Sequence, residues 1–170
     1  MLATDIPPEI LQRAKQIKFL LMDCDGVLTD GRLYFSESGE ALKVFDVRDG
    51  YGLTLWHKAG FRSGIISGRD SPIVAKRAED LGVDFVLQGR EEKVAALQEM
   101  MLVAGIGKDE IVFIADDTID LPLFPLVGYT VAVGDAHTAV KAAADYVTAA
   151  DGGRGAVREL IDLLLARDAN

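Results

Sequence analysis

The sequence predicts an α/β fold built on a doubly wound parallel sheet. Six short apolar runs are typical of buried strands, and segments with a helical pattern separate most of them. The predicted strands cover residues 19–22, 61–66, 84–87, 111–115, 130–133 and 146–147. The predicted helices cover residues 72–81, 91–104, 138–144 and 156–166. Strands that alternate with helices in this order form Rossmann-like sheets with helices on both faces.

The segment over residues 31–48 interrupts this alternation because it carries no helix signal. Apolar and polar residues alternate on both sides of Ser38-Gly39, which has the composition of a turn. This pattern predicts a β-hairpin inserted after the first strand and projecting from the sheet. Residues 1–17 read as a short amphipathic lead-in. We expect the whole chain, residues 1–170, to form a single domain.

The composition argues against several classes of partner. The formal net charge of -9 disfavours nucleic acid and anionic membranes, since either would attract a basic surface. No apolar run approaches the length of a membrane span, and the N-terminal residues lack a signal-peptide pattern. Cys24 is the single cysteine, so no internal disulfide forms. We therefore expect a cytoplasmic protein that acts on a small molecule.

Acidic residues directly follow two of the predicted strands. Asp23 and Asp25 come after the first strand, while Asp116, Asp117 and Asp120 come after the fourth. Parallel strands end at one edge of the sheet, where ligands bind, so we expect these carboxylates to gather there. Close carboxylates repel one another unless a cation intervenes, and Mg²⁺ suits oxygen ligands. Each acid alone could instead be a cap or loop residue, and Asp-x-Asp also occurs in metal-dependent glycosyltransferases.

Groups suited to binding phosphate are predicted at the same edge. Gly26 permits a sharp turn with an exposed N–H, and the run 67–69 (Ser-Gly-Arg) precedes a helix N-terminus. Lys93 lies near the start of a helix, where it can either neutralise phosphate or pair with the neighbouring glutamates. Arg154 lies in a glycine-rich run after the last strand and suits a carboxylate or phosphate. A turn cap and a helix-entry loop are the structural alternatives for Ser67 and Arg154.

These motifs resemble, in order and spacing, those of the haloacid dehalogenase phosphatases. The run 23–29 is similar to the first motif of that family, and Ser67 is similar to the second. Lys93 and the pair Asp116-Asp117 are similar to the third and fourth motifs. Within that superfamily the chain resembles the 3-deoxy-D-manno-octulosonate 8-phosphate phosphatases over roughly residues 18–165. The stretches that carry this closer resemblance are 47–52, 65–69, 144–148 and 152–159.

The resemblance implies an activity and an assembly. It implies hydrolysis of 3-deoxy-D-manno-octulosonate 8-phosphate to the free sugar acid and phosphate, in lipopolysaccharide precursor synthesis. It also implies a fold without a large cap domain, and a homotetramer in which the hairpins associate. In such an assembly a neighbouring subunit helps to close each site.

The resemblance further implies a role for each acidic residue. Asp23 would attack phosphorus and form an aspartyl phosphate, and Asp25 would serve first as acid and then as base. Mg²⁺ is assigned to the Asp23 carboxylate, the Asp25 backbone carbonyl and the Asp116 carboxylate. Asp117 and Asp120 would support the shell of metal ligands.

The remaining site residues are assigned to the substrate. Ser67 and Lys93 would hold the phosphoryl oxygens, and the residues next to the motifs would add substrate contacts. These additional substrate-binding candidates are Gly26, Gly68, Arg69 and Arg154. We expect the two arginines to bind the sugar acid, with Arg154 supplied by a neighbouring subunit.

Other interpretations stay open at this stage. Phosphatases of nine-carbon sugar acids share most of these motifs, so the length of the substrate is not decided. A non-catalytic oligomerisation module of the same fold is a second alternative, although such a module would be expected to lose an acidic or lysine position. Ala115 also departs from the glycine that commonly precedes the fourth motif.

Overall fold

A computed structural model describes residues 12, 13 and 15–166 of the chain. The lead-in predicted over residues 1–17 therefore lies mostly outside the described residues. Eight strands are present in the described part: β1 Phe19–Met22, β2 Tyr34–Ser36, β3 Gly39–Leu42, β4 Arg62–Ile66, β5 Phe85–Leu87, β6 Ile111–Ala115, β7 Tyr129–Ala132 and β8 Tyr146–Val147. All six predicted sheet strands are confirmed, with ends that agree to within one residue.

Six of the strands form one parallel sheet, in the order β5-β4-β1-β6-β7-β8. The chain builds the sheet outward from β1 in one direction, through β4 and β5, and then in the other direction from β6 to β8. This change of direction beside β1 makes the sheet doubly wound, and it creates a crevice at the carboxyl ends of the central strands. The predicted fold class is confirmed.

The central strands are buried on both faces. Every residue of β1 and β6 is buried, as expected for strands between two helical layers. In register, Met22 at the end of β1 lies between Ile65 of β4 and Ile114 of β6. The residues that follow these three strands therefore emerge side by side at one edge of the sheet.

Within residues 15–166, five α-helices pack around the sheet: α1 Val47–Lys58, α2 Pro72–Leu81, α3 Lys93–Ala104, α4 Thr138–Ala143 and α5 Ala156–Leu165. The predictions for α2 to α5 are confirmed, with ends that move by at most two residues. Gly82 and Gly105 adopt left-handed conformations just beyond α2 and α3 and end these helices. Within the described residues, no helix is long and apolar enough to cross a membrane.

Helix α1 was not predicted from the sequence. Two glycines, Gly50 and Gly52, weaken its helical pattern, because glycine is a poor helix former. The structure shows why small residues occur there. A Cβ at Gly52 would lie 3.2 Å from the Cα of Arg158, so the glycine allows α1 and α5 to pack closely.

The predicted hairpin is present and consists of β2 and β3. It is shorter than the predicted segment 31–48, because Val47 and Arg48 belong to α1. Asp46 ends the connection by capping α1, since its side chain accepts a hydrogen bond of 2.7 Å from the backbone N–H of Arg48. No large cap domain accompanies the hairpin among the described residues.

Candidate active site

The site is built at the carboxyl ends of β1 and β6. Asp23 follows β1, and its backbone N–H donates to the carbonyl of Ile114 in β6 at 3.1 Å. Asp116 follows β6 directly. Adjacent parallel strands therefore place the first acid of each predicted pair next to the other, as the sequence pattern predicted.

A third carboxylate completes this acidic cluster. Asp120 is fully buried in a 3₁₀ helix, Thr118–Leu126, which contains two prolines and was not predicted. One carboxylate oxygen from each of Asp23, Asp116 and Asp120 lies within 4.8 Å of the other two. The second oxygen of Asp120 is buried and has no hydrogen-bond partner among the described residues.

Lys93 binds two members of the cluster. It is the first residue of α3, and its side chain is only 4% exposed. Its Nζ donates to Oδ1 of Asp23 at 2.8 Å and to Oδ1 of Asp120 at 2.7 Å. A buried lysine at a helix N-terminus is unfavourable unless it is paired, so these two carboxylates account for its position.

The three acids hold more negative charge than Lys93 neutralises. Burial raises the pKa of Asp116 to about 7, with further contributions from the charges of Asp23 and Asp120. Burial likewise raises the pKa of Asp120 to about 7, and the pKa of Asp23 is raised in spite of Lys93. Burial lowers the pKa of Lys93, but the two carboxylates outweigh it and raise the pKa above its ordinary value.

This donor set fits Mg²⁺. Hard divalent cations prefer carboxylate and carbonyl oxygens, and the cluster offers three carboxylates with an unpartnered oxygen on Asp120. Gly26 keeps the site open beside Asp116, because a Cβ at this position would overlap the Asp116 carboxylate. Gly26 also has a φ of 88°, a conformation that side chains disfavour.

Asp25 lies beside the cluster and contacts two cations. Oδ1 of Asp25 pairs with Nζ of Lys43, and Oδ2 lies 3.4 Å from Nε of Arg69. Lys43 also pairs with Glu40 at 3.0 Å, and Glu40 accepts a hydrogen bond from the hydroxyl of Ser71. Burial lowers the pKa of Lys43, but its bonds to Asp25 and Glu40 outweigh this and raise the pKa.

Lys43 and Glu40 were not identified as site residues from the sequence. Both belong to the hairpin region, where they look like the polar half of an alternating strand pattern. No motif in the sequence distinguishes them from the other polar residues of this segment. Their contact with Asp25 depends on how the hairpin folds back over the sheet edge.

Ser67 and Gly68 follow β4, which is the neighbour of β1. Ser67 is buried, and its hydroxyl accepts a hydrogen bond from the backbone N–H of Arg69 at 3.3 Å. No atom lies within 4 Å of where a Cβ of Gly68 would be, so this position faces open space. The structure therefore brings the predicted phosphate-binding turn to the edge that holds Asp23.

Asp117 lies apart from the three-acid cluster. Its carboxylate caps the 3₁₀ helix by accepting from the backbone N–H and the hydroxyl of Thr118, at 2.6 and 3.2 Å. Asp117 is exposed, in contrast to Asp120. The cap fixes the start of the helix that carries Asp120, so Asp117 affects the site indirectly, by positioning Asp120.

The glycine-rich run after β8 packs against the first motif. The N–H of Gly153 donates to the carbonyl of Val27 at 2.8 Å, and a Cβ at Gly153 would overlap the backbone of Thr29. Asp49 in α1 accepts hydrogen bonds from the backbone N–H groups of Gly155 and Arg158. The run is therefore a fixed loop in this structure.

Arg154 extends from this loop toward Asp30, which precedes the hairpin. Its side chain is 60% exposed and lies 3.9 Å from Asp30, while its carbonyl accepts from Arg48 at 2.6 Å. A cleft of about 320 Å³ lies between them and the residues that lead into α1. A second cleft of about 480 Å³ is lined by Lys43, Phe45 and residues of α2.

Fold and site together define a class of protein. A doubly wound parallel sheet, an acidic pair after its first strand and a lysine that binds the first acid of this pair are features of haloacid dehalogenase-like hydrolases. That family matches residues 82–160 of the chain.

Comparisons with individual proteins narrow the class. The 3-deoxy-D-manno-octulosonate 8-phosphate phosphatase of Haemophilus influenzae is 44% identical over 154 residues, which cover 91% of this chain and 86% of the relative. The crystal structure of the Yersinia pestis phosphatase of the same name has a TM-score of 0.93 and 40% identity, and the match covers 96% of this chain and 89% of that one. The chain therefore belongs to the 3-deoxy-D-manno-octulosonate 8-phosphate phosphatase family.

A further similar structure contains ligands. The phosphatase of the same name from Moraxella catarrhalis was solved in complex with a magnesium ion, a phosphate ion and a KDO molecule. It has a TM-score of 0.91 and 38% identity, and the match covers 95% of this chain and 93% of that one. The magnesium ion in that structure agrees with the oxygen-rich donor set described above.

Proposed function

We propose that the chain hydrolyses 3-deoxy-D-manno-octulosonate 8-phosphate to the free sugar acid and inorganic phosphate, in lipopolysaccharide precursor synthesis. The observation that carries the proposal is the buried contact of Lys93 with Asp23 and Asp120, beside Asp116. This arrangement places an oxygen nucleophile, Asp23, next to the positive charge of Lys93, which can offset the negative charge of a phosphoryl group. The family of the chain supports the choice of substrate.

Asp23 is the proposed nucleophile. Its carboxylate oxygen attacks phosphorus, so that an aspartyl phosphate bond forms and the bond from phosphorus to the sugar oxygen breaks. Lys93 holds Oδ1 of Asp23 and so leaves the other oxygen for the attack. Asp25 gives a proton to the departing sugar oxygen, and then accepts a proton from the water that attacks the aspartyl phosphate.

Mg²⁺ is the cofactor, and the chain provides oxygen ligands for it, to be completed by water and substrate. We assign to it the carboxylates of Asp23 and Asp116 and the backbone carbonyl of Asp25, with Asp117 and Asp120 in support. Bound there, the ion supplies positive charge that offsets the negative charge of the phosphoryl group.

The phosphoryl oxygens are bound by side chains and backbone at the same edge. Ser67 offers its hydroxyl and Gly68 offers a backbone N–H beside open space, while Gly26, whose N–H donates to Oγ1 of Thr29 at 3.3 Å, is the other backbone candidate. Lys93 supplies a positive charge that is already fixed before the substrate arrives, which lowers the cost of organising the site. These contacts favour the transition state, because the charge on the oxygens must be balanced during transfer.

The sugar acid is assigned to Arg69 and Arg154, of which Arg154 lines one of the two clefts. Arg69 is 43% exposed and lies next to Asp25, so it can reach a substrate whose phosphate is at Asp23. Arg154 is also exposed and lies 3.9 Å from Asp30. Arginine binds carboxylates through two parallel hydrogen bonds, which suits the carboxylate of a sugar acid. In an assembly, Arg154 acts on the site of a neighbouring subunit.

The substrate is tested with a panel of phosphorylated eight- and nine-carbon sugar acids, assayed for phosphate release with Mg²⁺. The proposal predicts the highest kcat/KM for the eight-carbon compound. Higher activity with a nine-carbon compound would identify that compound as the substrate instead. Comparable activity with many simple sugar phosphates would contradict specificity for a sugar acid. Absence of phosphate release from the whole panel would favour a non-catalytic module.

The proposed assembly is a homotetramer held by the hairpins. Several large apolar side chains of the hairpin region are exposed, which is unfavourable in water unless another surface covers them. These residues are Leu33, Phe35, Leu42, Val44 and Val47, with exposures from 45% to 79%. Light scattering during size-exclusion chromatography measures the assembly, and replacing Phe35 with Glu should shift the protein toward smaller species. A monomeric wild-type protein would contradict the proposal.

We further propose that residues 1–170 form one domain that acts in the cytoplasm on a small molecule, without nucleic acid or membrane. The acidic net charge supports the absence of both partners. Cooperative unfolding in a single transition would agree with one domain, whereas two separated transitions would not. Fractionation of cells tests the compartment.

A further inference from the structure

The hairpin contributes a nearly buried cation to the acid-base group of the site. Lys43 follows β3, and its side chain is only 2% exposed, although the hairpin strands themselves are mostly exposed. Its Nζ contacts Oδ1 of Asp25, which lies in the loop after β1. Burying a lysine is costly unless its charge is paired, so a position of this kind is specified by its partners.

Lys43 is also held by a second carboxylate, that of Glu40. Oε1 of Glu40 lies 3.0 Å from Nζ of Lys43, and its other carboxylate oxygen accepts a hydrogen bond from the hydroxyl of Ser71. The backbone N–H of Ser71 in turn donates to the side chain of Gln88 at 2.9 Å, beyond the end of β5. This series of contacts joins the hairpin to the start of α2 and to the sheet.

We propose that Lys43 is a positioning residue for Asp25, and that it holds the carboxyl group in the orientation needed for proton transfer to the leaving oxygen. The inference rests on the proposed function, because it assumes that Asp25 is the acid of that reaction. Asp25 has two cationic neighbours, but Arg69 is 43% exposed and 3.4 Å away. Lys43 is the neighbour that is held in place, so it determines the orientation of Asp25.

The inference makes a prediction about the leaving group. Departure of a poor leaving group needs a proton from Asp25, whereas departure of a good one does not. Loss of Lys43 should therefore slow the release of alkoxides and phenolate more than the release of p-nitrophenolate. General acid catalysis contributes about 10²–10⁴-fold, so a misdirected acid should forfeit at least about tenfold.

The experiment compares Lys43→Met with the wild-type protein on three substrates with Mg²⁺: the eight-carbon sugar-acid phosphate, phenyl phosphate and p-nitrophenyl phosphate. The measured quantity is kcat/KM, because it covers only the steps up to loss of the leaving group. We expect kcat/KM to fall at least about tenfold more for the first two substrates than for p-nitrophenyl phosphate. The two aryl phosphates lack a carboxylate, so a difference between them separates positioning of Asp25 from direct binding of a sugar acid.

Three variants control for folding and for the loss of a positive charge. Lys58→Met makes the same change at an exposed lysine at the end of α1, near the opposite edge of the sheet, and should leave all three values unchanged. Lys43→Arg should restore part of the loss with phenyl phosphate. Glu40→Gln keeps the size of the side chain but weakens the hold on Lys43, so it should show the same preference for the good leaving group to a smaller degree.

Equal losses on all three substrates in Lys43→Met and Glu40→Gln would show a structural role only and would overturn the inference. Unchanged values in Lys43→Met would overturn it as well. A loss confined to the sugar-acid phosphate would assign Lys43 to substrate binding instead. In each of these cases the wild-type protein still hydrolyses its substrates, so the proposed function stands. If the wild-type protein hydrolyses none of them, the proposed function fails and the inference fails with it.

Discussion

Without metal, the protein should lose stability as the pH rises toward 8, because the acidic cluster binds a proton more tightly when folded. Burial and neighbouring charges raise the pKa of Asp116 from 3.8 to about 7. Between these two values the folded protein holds a proton that the unfolded chain has released, so folding is favoured at the lower pH. The stabilisation is complete below pH 3.8, falls progressively between pH 3.8 and about 7, and is absent above the folded pKa.

The size of the effect follows from the pKa difference. One pKa unit corresponds to about 1.36 kcal/mol, so the full effect of one proton is about 4 kcal/mol. Between pH 5 and pH 8 about 3 kcal/mol of this is lost, since at pH 5 the folded site is protonated and the unfolded carboxyl is ionised. We count only the proton of Asp116, because the burial that chiefly raises the pKa of Asp120 is the same in the wild-type protein and in Asp116→Asn.

The assay is chemical denaturation at pH 5, 6, 7 and 8 with a chelator present, repeated with Mg²⁺. Asp116→Asn is the matched control, since it retains the shape of the side chain but cannot titrate. The free energy of unfolding of the wild-type protein should fall by about 3 kcal/mol more than that of Asp116→Asn between pH 5 and pH 8. Mg²⁺ should raise the stability of the wild-type protein most at pH 8, because protons no longer compete for the carboxylates. Equal pH dependence in the two proteins would refute the reasoning.

Three further changes have defined consequences. Lys93→Met leaves Asp23 without its cation, so phosphate release should fall at least about 10²-fold, and normal turnover would contradict the role of Lys93. Denaturation of the chelated variant should show a free energy of unfolding about 3–5 kcal/mol lower than that of the wild-type protein. Gly153→Ala, at a φ of 61° and against the backbone of Thr29, should lower the free energy of unfolding by at least about 1–3 kcal/mol, and an unchanged melting temperature would refute the packing argument. Asp49→Ala removes the acceptor of two backbone N–H groups at the start of α5 and should lower the free energy of unfolding by about 1–3 kcal/mol. A decrease below about 0.5 kcal/mol, the usual effect of a surface substitution, would contradict this prediction.

The parts of the fold that depend on local patterns were predictable. The apolar runs of β1 and β6 end directly at Asp23 and Asp116, and parallel pairing then brings the two acids together. Lys93 stood out in the sequence because a lysine in the first turn of a helix is unfavourable without a partner. In the structure its partners are the carboxylates of Asp23 and Asp120. In these cases one element and one topological rule were sufficient.

The parts that were missed depend on contacts between distant elements. Helix α1 contains two glycines that weaken its pattern. Gly52 allows the close approach of α5, more than 100 residues later in the chain, and Gly50 faces the side chains of Arg77 and Leu81 in α2. Lys43 lies 18 residues from Asp25, and an irregularity between Tyr34 and Phe35 alters the hairpin register. A strand pattern alone does not tell which polar residue of a hairpin faces the sheet edge, so Lys43 and Glu40 could not be distinguished from solvent-facing residues.

The direct test of the covalent mechanism is a trapping experiment on Asp23. Protein in steady-state turnover with substrate and Mg²⁺ is quenched with borohydride, which reduces an acyl phosphate to an alcohol, and the peptides are analysed by mass spectrometry. The account predicts conversion of the Asp23 side chain to that of homoserine only when substrate is present, and no conversion in Asp23→Asn, which should also release no phosphate. Full turnover by Asp23→Asn, or reduction at another carboxylate while Asp23 stays intact, would contradict the account.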